Sequence, residues 1–391
     1  MNSIAIELRK GVHWVGVKDW GRRMFDGLIP LPHGTSYNAY LVQGEKTALV
    51  DTVNPGFEGE LLAKIGAVTD PAALDYVVMN HAEPDHAGAI PIVLAASPKA
   101  RLVLTAKGAD MAARYYRVPR ERMQVVADGE TLDLEGKTLR FVDAPFLHWP
   151  ETMFTYVIED RILFPCDFFG SHTAAGVYDD EVADLAVRAQ MYFGEIMMPF
   201  RKAGERALKK LADLPIALIA PSHGPLWRHP ERILDLYRKW TAGETATKAV
   251  VAYVSMWGAT ERLVRIVAET LLGEGIRVAV HDLAQADVGD LAGDLVDARA
   301  LVLGAPTVLG GLHPAAFNAA NLIRALKPPL KYAALLSSYG WGGGAARQAS
   351  EVLGPTGIEV VGAVEIHGSP AAEAEAQAAA LASILATRIR S

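Results

Sequence analysis

Seven consecutive residues, Asn80-His81-Ala82-Glu83-Pro84-Asp85-His86, constrain this chain more than any other stretch. Four of them carry metal-binding side chains, and an apolar, β-branched segment, Tyr76-Val77-Val78-Met79, runs straight into them. A helix-like run over 87–96 follows. The ligands therefore belong to a loop at the carboxyl end of a strand, where a rigid element aims several side chains at one point. Three more residues repeat that placement: His148 follows a strand over 139–143, Asp167 one over 162–165, and His223 one over 217–220. The set comprises four histidines and three carboxylates. That is more than one ion takes. Two ions sharing one carboxylate use all seven and keep positions open, and such sites hold their ions ~3.5–4 Å apart.

The elements around these loops alternate. Strands are expected over 12–19, 75–79, 101–105, 138–143, 153–159, 161–165 and 215–220. One hairpin joins 37–42 to 47–51 through Gln43-Gly44-Glu45-Lys46, and a second turns at Glu159-Asp160. Helical patterns cover 56–65, 107–115 and 181–210. This order suggests two sheets in a sandwich with helices outside.

Near residue 247 the pattern changes. After the linker-like stretch 241–247, five near-continuous apolar strands (249–255, 278–283, 300–306, 332–338 and 358–366) alternate with helices over 260–273, 314–325, 344–353 and 371–389. Strands of this kind form a parallel sheet covered on both faces, which binds ligands at the carboxyl ends of its strands. Three loops stand there. Ser255-Met256-Trp257-Gly258-Ala259-Thr260 leads into a helix, whose free N–H groups and neighbouring hydroxyls suit a phosphate. Gly304-Ala305-Pro306-Thr307-Val308-Leu309-Gly310-Gly311 and Ser337-Ser338-Tyr339-Gly340-Trp341-Gly342-Gly343-Gly344 combine close-approach glycines with aromatics that can flank a flat ring.

With 51% apolar and 21% charged residues, the 391-residue chain has ample core. A net charge of −7 argues against a nucleic-acid partner. The single cysteine, Cys166, excludes an intrachain disulfide and any cysteine-ligated zinc or iron–sulfur site within these residues; its simplest role is that of a small buried hydrophobe. The amino terminus lacks a secretory signature, and no apolar run reaches the ~20 residues of a membrane span, so a cytoplasmic location is expected.

The ligand set resembles that of the metallo-β-lactamase fold. Hydrolases of that fold carry His-x-His-x-Asp-His, whereas this chain has Glu83 at the second histidine. The pattern His81-x-Glu83-x-Asp85-His86 resembles the diiron core of the flavodiiron (A-type flavoprotein) family, and the three carboxyl-terminal loops resemble the phosphate and isoalloxazine loops of flavodoxin. Trp257 stands where the usual phosphate loop has Thr. The resemblance covers essentially the whole chain. It implies an α/β architecture: a metallo-β-lactamase-like αββα sandwich over 1–247, then a flavodoxin-like doubly wound domain over 248–391. It implies two irons, one held by His81, Glu83, His148 and Asp167, the other by Asp85, His86, Asp167 and His223, with Asp167 bridging. It also implies FMN, held by residues 255–260, 306–309 and 338–343. His172, Tyr192 and Asp51 are candidates to stand behind the ligands.

Members of the family reduce dioxygen to water, nitric oxide to nitrous oxide, or both. The resemblance implies a head-to-tail homodimer or dimer of dimers, with Trp149 and Trp341 near the junction. Without paired Cys-x-x-Cys motifs in these residues, an external donor is expected, rubredoxin or a reduced deazaflavin. Two other readings compete: a zinc-dependent hydrolase carrying a flavodoxin domain, against which Glu83 speaks, and a redox carrier or gas sensor without turnover.

Overall fold

Adjacent side chains on single strands go to different cores. Leu41, Leu49, Val77 and Leu102 join one buried cluster with Leu61, Ile65, Ile90 and Val93 from nearby helices. Their neighbours Val42, Val50, Val78 and Val103 join another with Phe141, Val157, Ile162 and Leu218. This alternation is the period-two signature of a sheet with both faces covered. One face meets helices and the other meets a second sheet, as a sandwich requires.

The computed structural model describes residues 4–391. The chain forms two compact units. One runs through Phe193 and resumes over Phe200–Thr241; the other comprises Gly194–Pro199 and Ala242–Ser391. In the first, a seven-stranded sheet takes the order Ile6–Arg9, Val12–Trp14, Tyr40–Gln43, Thr47–Val50, Tyr76–Val78, Arg101–Leu104, Met123–Val125. A five-stranded sheet has the order Thr131–Asp133, Thr138–Asp143, Met153–Val157, Ile162–Phe164, Leu218–Ile219.

Three local features depart from the sequence reading. The helix expected over 87–96 starts earlier and breaks in two, Pro84–Ala87 and Ile90–Ala96, because Pro84 and Pro91 each set a helix start. Asp85 and His86 thus stand on a helical turn, not on a loose loop. The helical stretch over 181–210 is interrupted between Leu185–Tyr192 and Arg201–Leu211 by a wider turn at Phe193–Met197, which holds Gly194, and a tight turn at Met198–Phe200, which holds Pro199; both residues disfavour a regular helix. The strand expected over 12–19 splits into Val12–Trp14 and Val17–Asp19 at Gly16, where an added Cβ would lie 2.5 Å from the Tyr37 carbonyl. Two helices escaped the sequence reading. Pro230–Ala242 buries Ile233, Leu234, Tyr237 and Trp240, and Val288–Leu295 is capped by the Asp287 carboxylate, which accepts from Gly289 N.

In the second unit five parallel strands stand in the order Arg277–Asp282, Lys248–Tyr253, Ala300–Val308, Tyr332–Tyr339, Glu359–His367. The second strand in sequence is thus at the edge, and the chain reverses direction of travel between Lys248–Tyr253 and Ala300–Val308. That reversal leaves a crevice at the carboxyl ends of these two strands. The helices Ala259–Gly273 and Ala372–Arg390 cover one face through Leu263, Val267, Leu271, Leu381 and Leu385. Among the described residues no helix is long and apolar enough to cross a membrane.

Candidate metal and flavin sites

Four strand ends bring the first set of side chains together. The strand Tyr76–Val78 leads to His81 and Glu83, and the helical turn Pro84–Ala87 presents Asp85 and His86. His148 follows Thr138–Asp143, and His223 follows Leu218–Ile219. Asp167 follows Ile162–Phe164 through Cys166, whose φ of +49° turns the chain sharply inward.

Asp167 lies between two groups. Its Oδ2 is 3.5 Å from His81 Nε2 and 3.6 Å from His148 Nε2, and Glu83 Oε2 lies 3.2 and 3.0 Å from those same nitrogens. Its Oδ1 is 3.0 Å from His86 Nε2 and 3.4 Å from His223 Nε2, and Asp85 lies 3.3 and 3.1 Å from those. The potential ligand atoms of His81, Glu83, His148 and Asp167 all lie within 4.8 Å of one another, as do those of Asp85, His86 and His223. All seven residues singled out in the sequence therefore converge, in two groups that meet at one carboxylate.

The electrostatics favour positive charge here. Burial disfavours a charged His81, yet hydrogen bonding to Glu151 and Glu83 and the charge of Asp167 outweigh it and raise its pKa to about 10. Burial is likewise overridden at His148, raised to about 10 by Asp167 and Glu83, and at His86, raised to about 9 by Asp85 and Asp167. Burial works against ionised Glu83 and Asp167 as well, but the surrounding imidazoles hold both below the usual carboxylate range. Both oxygens of Asp85, both ring nitrogens of His86 and Oδ2 of Asp167 are buried without a hydrogen-bond partner. Native structures leave few such atoms unpaired. Four imidazoles and three carboxylates converging in this way fit two cations, with a nitrogen–oxygen donor set suited to iron.

Behind the ligands stand residues of both kinds, expected and unexpected. The Tyr192 hydroxyl donates to Asp167 Oδ1 at 3.0 Å, and burial beside Asp167 holds it protonated, its pKa well above the usual value. His172 packs its ring 4.8 Å from that of Tyr192 and 5.1 Å from that of His223, and burial together with His223 keeps it neutral. Asp51 hydrogen-bonds to Asn80, the residue before the first ligand. Its carboxylate accepts from Asn80 N and Asn80 Nδ2, at 2.8 and 3.0 Å, and so anchors the base of the ligand loop. Burial raises its pKa to about 6. Cys166 is buried and accepts a hydrogen bond from the Ser222 hydroxyl.

Glu151 and Tyr116 are additional. His81 Nδ1 lies 2.7 Å from Glu151 Oε1, and the Tyr116 hydroxyl donates to the Ala82 carbonyl at 2.6 Å. A carboxylate three residues after His148 was the available signal for Glu151; nothing in the sequence pointed to Tyr116.

The second site is the crevice of the parallel sheet. A cavity of about 450 Å3 is lined there by Ser255, Met256, Trp257 and Ala259, by Pro306, Thr307, Val308 and Leu309, and by Ser338, Tyr339, Gly340 and Trp341. Gly258, Thr260, Gly342 and Gly343 are not in its lining. Thr260 is buried against Ser338, hydroxyl to hydroxyl at 2.9 Å. Gly258, at φ +82°, makes the turn into the helix Ala259–Gly273, and the Ser255 hydroxyl accepts from Gly258 N and Glu261 N at 3.2 and 3.3 Å. Gly368 and Ser369 join the lining from the loop after Glu359–His367, a strand end that the sequence reading left out. Trp257, Leu309 and Trp341 are 92, 99 and 96% exposed at its rim. A helix amino terminus at one end and broad apolar side chains at the other fit a phosphate joined to a flat ring.

A family model described as ODP family beta lactamase matches residues 35–224, and a flavodoxin model matches 251–381. The nitric oxide reductase of Moorella thermoacetica is 37% identical over 366 residues, covering 92% of each chain. Among solved structures, the rubredoxin oxygen:oxidoreductase of Desulfovibrio gigas superposes with a TM-score of 0.96 at 30% identity, covering 99% of this chain and 98% of the other. The flavodiiron protein of Giardia intestinalis gives 0.94 at 28% identity, covering 98% and 96%.

Proposed function

The chain belongs to the flavodiiron family, and on that premise we propose that it reduces a diatomic gas, nitric oxide or dioxygen, at a diiron site supplied with electrons through FMN. It is an FMN- and diiron-dependent oxidoreductase; the zinc-hydrolase alternative finds no support among its relatives. We assign His81, Glu83, His148 and Asp167 to one iron and Asp85, His86, His223 and Asp167 to the other. The observation that carries this assignment is the position of Asp167, one oxygen toward each group. Ser255, Met256, Trp257, Ala259, residues 306–309 and residues 338–341, with Gly368 and Ser369, are assigned to FMN within a flavin domain over 248–391, while Gly258 and Thr260 shape the first loop.

When bound, two ferrous ions and a reduced flavin supply the four electrons that take dioxygen to water, or the two that join two nitric oxides as nitrous oxide. The protein's own part is to hold and to exclude. Two neighbouring coordination groups hold the reacting atoms side by side, which removes much of the entropic cost of their meeting. Tyr192 keeps its proton at the hydroxyl oxygen and directs it to Asp167. His172, neutral, offers an imidazole beside that hydroxyl without adding charge. Asn80, clamped by Asp51, keeps the loop from shifting as its charges change.

We further assign the electron donor to a separate protein of the rubredoxin kind, with a reduced deazaflavin as the second choice, the working form to a head-to-tail dimer and the location to the cytoplasm. The relative from Desulfovibrio gigas carries rubredoxin in its name, which supports the donor class. The test is anaerobic turnover of protein expressed with ample iron. Two irons and one FMN per chain, with donor-dependent loss of nitric oxide or dioxygen at a gas electrode, are expected. Loaded protein that consumes neither gas with reduced rubredoxin or reduced deazaflavin overturns the reading.

A further inference from the structure

On the ligand assignment proposed above, the two sides of Asp167 are matched in charge. Each has two imidazoles, one carboxylate of its own and one oxygen of Asp167. Behind the ligands the match ends. His223 Nδ1 lies 2.6 Å from a neutral acceptor, the Ser36 carbonyl. His81 Nδ1 lies 2.7 Å from a carboxylate, Glu151 Oε1. Glu151 is 3% exposed. Oε1 also accepts from Ala82 N at 2.8 Å, Oε2 has no hydrogen-bond partner, and among the described residues its ion pair is with His81. The Thr105 hydroxyl holds its backbone carbonyl at 2.9 Å. A second asymmetry acts in the same direction. Tyr192 donates to Asp167 Oδ1, the oxygen facing His86 and His223, and so makes that oxygen the weaker donor.

We propose that Glu151 is a positioning residue that makes the two irons inequivalent. It fixes His81 with the proton on Nδ1 and the lone pair of Nε2 toward Asp167, and its charge makes this imidazole the stronger donor. The iron on the His81 side is then the first of the pair to become ferric: one electron leaves that ion for a one-electron oxidant such as ferricyanide, which becomes ferrocyanide, while the other iron stays ferrous.

The test uses the full-length protein carrying FMN, loaded anaerobically with iron, and reads affinity and potential rather than turnover. Glu151→Gln keeps an acceptor oxygen and removes the charge. It is expected to retain both irons and to raise the first oxidation potential by about 59 mV for each tenfold loss of preference for ferric iron. Glu151→Ala removes both and is expected to weaken one iron ~10–100-fold while leaving the other unchanged. Wild-type potentials in Glu151→Gln, or equal weakening of both irons in Glu151→Ala, overturn the inference in favour of a general structural role. If Glu151→Ala does not fold, the potentials of Glu151→Gln decide. His81→Ala separates the two levels. Should it hold both irons at wild-type affinity, the ligand assignment itself fails; should it lose one while the Glu151 variants match wild type, only the present inference fails.

Discussion

Around Asp167 the polar side chains are buried and converge on one another, whereas at the carboxyl edge of the second unit's parallel sheet Trp257, Leu309 and Trp341 stand almost wholly in solvent. The difference follows from what each region is built to hold. A pair of cations is attracted by charge, and charge acts strongly only where water is excluded. The chain must therefore accept the cost of burying Asp85, His86, Asp167 and their neighbours. A flavin offers apolar faces and a phosphate. Backbone N–H groups, glycines that permit close approach and aromatic side chains suffice, and none of these needs prior burial. The proposed metal site is thus an internal feature of its unit, and the proposed flavin site is a surface feature of the other.

The comparison predicts that lesions in one region leave the other loaded. The largest effect should follow Asp167→Ala, which removes the carboxylate common to both groups. Iron should fall below one per chain and gas reduction by roughly a thousandfold or more, ~4 kcal/mol on the barrier, while FMN stays at one per chain. Iron and FMN analysis on the same sample checks it; simultaneous loss of FMN would break the comparison. The mirror-image lesion is Gly344→Ala. Gly344 sits at φ +148°, and a Cβ there would lie 2.3 Å from the Gly310 carbonyl, so the second and third loops would be forced apart. A strain of about 1–3 kcal/mol at this position should weaken FMN roughly five- to 150-fold with iron content unchanged. Fluorescence titration of the deflavinated protein measures the first and metal analysis the second.

The two regions were also unequally legible. The seven residues of the metal set stand out because histidine and carboxylate density at strand ends has little structural use, and the fold brings all seven together. The three loops read for the flavin line one cavity, but which of their residues face it depends on backbone direction. Thr260 turned inward to Ser338, and Gly258 was spent on a positive φ. The loop at Gly368 and Ser369 carries no phosphate or ring signature and becomes visible only because the last strand ends beside the other three loops. Likewise, Tyr116 reaches Ala82 from just past the end of a helix, over thirty positions away in sequence, a contact that no local pattern encodes. Pro230–Ala242 and Val288–Leu295 carry local signals of their own, a proline at the first helical position and a capping aspartate.

A smaller effect tests the surface character of the flavin region. Trp341 is 96% exposed, so Trp341→Ala should leave stability within ~0.5 kcal/mol in urea unfolding. If the indole flanks the flavin ring, the same variant should lose about 1 kcal/mol of FMN binding, roughly fivefold in affinity. Loss of stability without loss of affinity would make Trp341 part of the fold instead.

The remaining prediction concerns a buried charge in the first unit that lies outside the ligand set. Lys18 is partly buried, with its Nζ donating to the Gly176 carbonyl at 2.8 Å, and burial lowers its pKa to about 8, with Glu181 opposing that shift. Unlike the carboxylates at Asp167, it has no cation to justify its place, so its charge should cost stability. Below pH 8 lysine is protonated in both the folded and unfolded chain, and the full cost is present. Between pH 8 and the unfolded value of 10.5 the unfolded chain binds more protons, so this contribution to stability rises with pH; above 10.5 both forms are neutral and the cost is gone. Lys18→Met should therefore stabilise the protein by about 1 kcal/mol at pH 7, the desolvation gain being partly offset by the lost hydrogen bond to Gly176. The advantage over wild type should shrink through pH 8–10.5, while iron and FMN contents stay at wild-type values. Paired urea titrations of wild type and variant at pH 7 and 10 isolate this residue from the tyrosines and lysines that titrate in the same range. A variant less stable than wild type at both pH values would mean that the hydrogen bond to Gly176 outweighs the buried charge, and that burial of charge in this unit is not costly even where no metal site calls for it.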